Sequence, residues 1–450
     1  MRTGLEREFG PPVYGGTDTG RGYIPILSRR KFPGNADKMT MTIHATGASD
    51  DGARRRSIVF LNWAHAIDHF VLLIYPTVVI GLEVVYHLPY SELIALSSTA
   101  FLAFGIFSLP AGWLADRWSR RNMMAAFFLG CGVSLTAIGL AANLTLLAIA
   151  MFALGIFAAI YHPVGMAMLI EASGAKGRTL AFNGVCGNLG VSLAAGISGA
   201  LAYWVSWRAA FFAPALVSFV TGIVYLWLTP DDLDHAKARI SKPAVALTPK
   251  LAFMLFGLFI VIALSAGLTF NVLTIALPKI VDERLSQDLP LVMVGSIATL
   301  VLVCGALAQL SVGRLVEWVP PHIIFAIVTG LGFLGNLWAA YANGVTLLVA
   351  LAVAIAAIYG QVTVNDMIMA RYTADAWRGR VYAVRYFLLF ISAGAAIGMI
   401  ALLHKSGGFT LVLAVNAMIA LLLFLTTLGL VAMIISIEGK HAAAQAQPAE

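Results

Sequence analysis

Between residues 58 and 435 the chain is a succession of apolar stretches of about 20 residues or more, divided by short polar turns. A helix of that length rises about 30 Å, the thickness of the hydrocarbon layer of a bilayer. Inside that layer every backbone N–H and C=O must be bonded within the protein, so only helices and closed barrels can cross. Unbroken apolar runs, with no alternation of polar and apolar residues, select helices. Twelve are predicted, over 58–87, 93–115, 123–142, 145–170, 179–204, 209–229, 251–280, 290–312, 323–342, 345–370, 380–403 and 409–435. Charged residues make up only 11% of the chain and apolar ones 60%. A soluble domain carries about 25% charged residues, so an all-α membrane protein is the expected class.

The polar segments organise the chain. Residues 1–57 hold glycines, prolines and the cluster Arg54, Arg55 and Arg56 but no apolar core of a secretory signal, and read as a disordered tail. Residues 230–250 are the longest connection, polar and with two prolines, and read as a linker between bundles over 58–229 and 251–435; a short tail follows over 436–450. With the first helix running outward, the loops on the side of the termini carry 14 Lys and Arg and the N-terminal tail 10, against 4 in the opposite loops. This asymmetry places both termini in the cytoplasm of a multi-pass protein in a bacterial-type inner membrane. The net charge of +7 is spread over those loops and does not suggest a nucleic-acid partner. Cys131, Cys186 and Cys304 lie in apolar stretches without metal-ligand spacing and read as packing residues.

One helix departs from lipid chemistry. The first carries Asn62, His65, Asp68 and His69 within an arc of about 120° at 100° per residue. An aspartate at the centre of a bilayer costs about 2.5–3.5 kcal/mol on insertion scales, so this face is expected to meet protein or water. A network that merely joins helices is the bland reading of the group.

Short motifs recur between the two bundles. Gly112-x-Leu114-x-Asp116 after the second helix returns 201 residues later as Gly313-x-Leu315-x-Glu317, and Gly177-Arg178-x-x-Ala181 returns 202 residues later as Gly379-Arg380-x-x-Ala383. Two parallel six-helix halves related by an axis along the membrane normal follow from such a repeat. The segment Gly112-Trp-Leu-Ala-Asp116-Arg117-Trp-Ser-Arg120-Arg121 resembles the loop motif of the major facilitator superfamily, with Ser119 where a second glycine is usual. In that family the motif is a latch that stabilises one access state, which the resemblance implies for Gly112, Asp116, Arg117, Arg120, Arg121 and their echo Gly313 and Glu317. The alternative is a plain positive-inside anchor. Gly155-Ile-Phe-Ala-Ala-Ile-Tyr161-His162-Pro163 and Gly184-Val-Cys-Gly187-Asn188-Leu-Gly190 resemble the fosmidomycin-resistance-type branch. Two departures stand out: Val164 replaces a glutamate, and Ala194-Ala195 replaces the Gly-Pro pair associated with antiporters.

The resemblance implies a central cavity lined by the first, fourth, seventh and tenth helices. His162 and Asp68 lie about 12 Å and 15 Å from the inner ends of their helices, close to one layer. Asp68 is the expected proton carrier, with His65 and His69 as partners in proton transfer. Asn62, Tyr161, His162, Asn188, Asn271, Gln361, Asn365 and Arg385 are the candidate substrate contacts. Arg385 either snorkels to the interface or faces an anionic substrate. Pro76 and Pro163 are expected to kink their helices and free carbonyl groups.

The function these features imply is proton-coupled secondary transport of a small solute by alternating access, with efflux favoured, by a chain that is monomeric in its lipid and needs no cofactor. No phosphate-binding G-x-x-x-x-G-K-[ST] loop occurs, and no nucleophile–base motif suggests an enzyme. Two alternatives remain open: a divalent-metal transporter using the His and Asp cluster, and a receptor that no longer transports.

Overall fold

A computed structural model describes residues 36–115, 117–173, 177–229, 249–285, 288–372 and 375–446. Among the described residues the regular structure is helical throughout, and eleven segments are long and apolar enough to cross a membrane. Ten of them are α1 (Gly52–Tyr86), α2 (Tyr90–Ala115), α3 (Arg120–Leu140), α4 (Leu144–Ser173), α5 (Arg178–Trp204), α6 (Ala209–Leu228), α7 (Lys250–Arg284), α8 (Leu291–Leu315), α9 (Pro321–Tyr341) and α10 (Gly344–Met369). The eleventh, Phe387–Glu438, has 52 residues. A straight helix of that length would span about 78 Å, more than twice the hydrocarbon layer. It is broken at Gly407 (φ −158°, ψ 21°) and Gly408 (φ 59°, ψ −161°), and the second of these is a left-handed conformation that favours glycine. The break divides the helix into α11 (375–406) and α12 (409–446), which makes twelve crossings.

Several helix ends explain themselves. Ser119, in the position where the motif usually has glycine, is the N-cap of α3, and its hydroxyl accepts from Asn122 N at 3.2 Å. Asn143 caps α4 in the same way, accepting from Leu146 N at 2.9 Å. His87 at φ 53°, followed by Pro89, ends α1.

Two helix ends differ from expectation. The first crossing runs Gly52–Tyr86 and so begins before residue 58. The last helix continues to Ala446 rather than stopping at 435, because 436–446 is rich in Ala, the best helix former, with Glu438, Lys440 and Gln445 beside it. Most of the linker expected over 230–250 lies outside the described residues, as do residues 1–35 and 447–450.

Two seams join the first six helices to the last six, and small residues build both. Along α5 and α8, a Cβ added at Gly295 would stand 2.3 Å from the Ala195 carbonyl oxygen, and one at Gly199 would stand 2.8 Å from the Leu291 carbonyl oxygen. Thr299 Oγ1 there donates to the Ser192 carbonyl at 2.6 Å and accepts from Gly196 N at 2.9 Å. Along α2 and α11, a Cβ at Gly105 would press on the Ile391 backbone at 3.3 Å. Backbones this close gain contact that lipid cannot supply. The pair Ala194-Ala195 therefore sits at a helix–helix seam.

The two faces of the bundle differ. At the face opposite the charge-rich loops, Lys279 of α7 is buried and bonds Glu83 of α1, while its ammonium also meets Asp282 at 2.9 Å and Glu283 at 3.6 Å. His404 of α11 reaches Glu283 at 3.0 Å and packs edge-on to Tyr90 of α2, with ring centroids 5.1 Å apart. This cluster ties α1 and α2 to α7 and α11. At the charge-rich face, Arg120 pairs with Glu171 at 3.2 Å and Arg371 with Glu438 at 3.0 Å, pairs that stay within one half.

Candidate functional site

The site grows from a defect in α4. Proline has no N–H and cannot complete the helical ladder. Around Pro163 the backbone of Tyr161–Gly165 widens into a π-helical turn between Leu144–Ala158 and Met166–Ser173. Such turns mark places where a helix presents side chains that a regular ladder would misdirect. Tyr161 folds back over Gly165, where an added Cβ would stand 2.7 Å from the tyrosine ring. His162 reaches Asp68 of α1 from this turn.

Opposite this turn, α1 presents the polar arc. Asp68 is fully buried, and its Oδ2 lies 3.3 Å from His162 Nε2. Neither carboxylate oxygen makes a hydrogen bond of good geometry. His65 stacks on Tyr161 with centroids 4.9 Å apart and planes at 23°. His69 completes a triangle of imidazoles: the centroids are 5.0 Å apart for His65 and His69, 5.4 Å for His65 and His162, and 5.5 Å for His69 and His162.

α5 locks this group in place through Asn183. Its side-chain amide donates to Asn62 Oδ1 and Tyr161 Oη at 3.0 Å each, and its backbone carbonyl accepts from His65 Nδ1 at 2.8 Å. Tyr161 Oη in turn donates to the Leu61 carbonyl at 3.2 Å. The glycines of α5 make this approach possible. A Cβ at Gly187 would lie 2.7 Å from His65 Nε2, and one at Gly190 would lie 2.1 Å from the Ala66 carbonyl oxygen.

The second half contributes an aromatic cover. Phe390 of α11 packs on His162 with centroids 4.8 Å apart and on Phe104 of α2 at 4.6 Å. His162 is thus the member of the group that meets the other bundle.

Six of the expected residues, Asn62, His65, Asp68, His69, Tyr161 and His162, therefore converge in one cluster. Asn188 stands apart and donates to Gln309 across the α5–α8 seam. Asn271 bonds the Gly267 carbonyl of its own helix at 2.8 Å. Gln361 and Asn365 are buried in α10, and the side-chain oxygen of each has no hydrogen-bond partner. Arg385 is ion-paired with Asp366 of α10. Asn183 and Phe390 were not predicted. Asn183 had one signal in the sequence: it matches Arg385 in the repeat.

The loop motif is partly visible. Gly112 faces Pro163, with an added Cβ 3.4 Å from the proline Cβ. Arg117 lies 4.2 Å over the Trp113 ring, and Arg121 donates to the Thr229 carbonyl at 2.9 Å, closing the end of α6. Gly313 has open space around it and Glu317 is exposed. Asp116 lies outside the described residues.

The family model of the major facilitator superfamily matches residues 58–392. The chain belongs to that superfamily. Superfamily members are secondary transporters and not enzymes, and the twelve-helix architecture is theirs. A bacterial homologue of the human lysosomal transporter Spinster, in an inward-facing and unoccupied conformation, superposes with a TM-score of 0.64 at 13% identity, covering 86% of this chain and 95% of that one. A POT peptide transporter in complex with sulfate superposes with a TM-score of 0.66 at 13% identity, covering 85% and 95%. Both likenesses concern the fold. In sequence, a lincomycin resistance protein of Streptomyces lincolnensis is 30% identical over 227 residues, which is 47% of this chain and 45% of that protein. The matched segment thus spans less than half of this superfamily relative.

Proposed function

We propose that this superfamily member couples the movement of a small solute across a bacterial-type cytoplasmic membrane to the movement of protons, with export as the working direction. The observation that carries the reading is the pairing of Asp68 with His162: a carboxylate fully buried within a crossing helix, 3.3 Å from an imidazole on another helix. A buried acid in a crossing helix is costly, and one that can exchange its charge for a proton with a neighbouring base suits a relay better than a joint between helices. His162 is slightly exposed while Asp68 is not, so protons reach Asp68 by way of His162, with His65 and His69 alongside.

Alternating access then has a simple coupling device. Phe390 belongs to the second half and covers His162, so rocking of one half against the other uncovers or seals the relay. The buried carbonyl oxygens of Gln361 and Asn365 are suited to hydrogen-bond donors on the solute. Arg385, the deep cation an anion would seek, is already engaged by Asp366, which favours a solute without a large negative charge. The resistance function in the name of the Streptomyces lincolnensis relative supports export. The charge-rich loops support a cytoplasmic position for both termini.

The test is a solute screen in proteoliposomes with an imposed pH gradient, comparing wild type with Asp68→Asn. Gradient-driven flux that disappears in the variant, while solute exchange without a gradient persists, is the expected result. A variant that still accumulates solute against its gradient would remove Asp68 from the relay.

A further inference from the structure

We infer that His65, His69 and His162 form a binding site for one first-row divalent cation of the zinc type. The inference shares the cluster of the proposed relay but not its premise, since a cation can bind whether or not protons are carried.

Three imidazoles meet as a nearly equilateral triangle, and each offers one ring nitrogen such that the three nitrogens lie within 4.8 Å of one another. Zinc–nitrogen bonds of about 2.0–2.1 Å in a tetrahedron set the nitrogens about 3.4 Å apart. The rings therefore need to close by at most about 1.4 Å, within reach of small side-chain rotations. Three protein ligands leave a fourth position open to water or solute.

The hydrogen bonds around the triangle prepare the ligand atoms. A backbone carbonyl can only accept, so the 2.8 Å contact between His65 Nδ1 and the Asn183 carbonyl places the ring hydrogen on Nδ1. That leaves the lone pair on Nε2, beside which Gly187 provides space that a side chain would fill. For His162 the partner is a carboxylate. Its Nε2 lies 3.3 Å from Asp68 Oδ2. A carboxylate behind a ligating imidazole is the usual outer-shell arrangement of zinc sites, where it orients the ring and raises its basicity. The role also accounts for a fully buried acid whose oxygens have no well-formed hydrogen bond.

The donor set states the chemical class. Three neutral imidazoles suit zinc, cobalt, nickel or copper, whereas calcium and magnesium demand several oxygen ligands that the triangle lacks.

Tag-free full-length protein in lipid nanodiscs, stripped with a chelator, is titrated with cobalt(II) and followed by its visible absorption, then with zinc. The expected result is one cobalt per chain with the strong visible bands of a tetrahedral site, displaced by zinc. His69→Ala and His162→Ala each weaken binding by ~100-fold or more, and Asp68→Asn by ~10–100-fold. Zinc raises the unfolding temperature of wild type but not of the milder His69→Gln, which keeps the test valid if an alanine variant misfolds. Wild type that binds no stoichiometric cation, or bands that survive both alanine changes, would overturn the inference. Proton-driven flux measured in chelator-treated vesicles separates the two ideas: coupling without cation binding keeps the relay and discards this site, and binding without coupling does the reverse.

Discussion

His162 Nε2 and Asp68 Oδ2 face each other at 3.3 Å from two different helices, and the imidazole belongs to the one π-helical turn among the described residues. The imidazole–carboxylate pair and the irregular backbone are therefore one feature. His162→Gln keeps a polar side chain but no titrating ring. We expect it to reduce proton-driven flux in vesicles to the level of protein-free controls, and to leave solute exchange without a gradient near wild type. Equal loss of both activities would mean that His162 holds solute rather than protons.

The glycines of α5 separate packing from function. Gly190→Ala drives a methyl into the Ala66 backbone, 2.1 Å from its oxygen, and neither helix can yield without moving the other. A loss of about 1–3 kcal/mol and a lower unfolding temperature are expected. Gly187→Ala meets the His65 ring at 2.7 Å, a side chain with some freedom to turn. It is expected to cost less stability than Gly190→Ala and more transport, which thermal unfolding and flux on the same samples will read.

Lys279 stands among three carboxylates at the face opposite the charge-rich loops. Lys279→Met leaves Glu83, Asp282 and Glu283 crowded without their cation. Because the acids are a quarter to a third exposed, the expected cost is about 1–3 kcal/mol rather than the larger penalty of a fully buried pair. Exchanging the charges in Glu83→Lys with Lys279→Glu should recover part of what either single change loses, and a double-mutant cycle on unfolding temperature measures that coupling.

Ser119 replaces a glycine usual in the loop motif and acts as the N-cap of α3. Ser119→Ala should cost about 1 kcal/mol, whereas Ser119→Gly, the family's ordinary residue, should cost only a few tenths. Equal effects of the two changes on thermal unfolding would show that the hydroxyl contributes nothing as a cap.

What the sequence determined by itself was the part governed by local rules. Hydrocarbon forbids unpaired backbone, so twelve apolar runs of the right length had to be twelve helices, and period alone placed Asn62, His65, Asp68 and His69 on one arc of α1. The family motif was legible for the same reason, since it is a run of adjacent residues. Helix ends were less so: the last helix runs on to Ala446 because good helix formers continue the ladder past the apolar stretch.

Only the tertiary structure decided which residues meet. Nothing in the order of residues says that Asn183 bridges Asn62, Tyr161 and His65, that Asn188 turns away to Gln309, or that Arg385 is taken by Asp366. Those outcomes depend on how closely α1, α4 and α5 approach, which is set by the absent side chains of Gly187 and Gly190 and by the widened turn at Pro163. Contact across a bundle is a property of packing distance and helix rotation, and neither quantity is carried by a single helix.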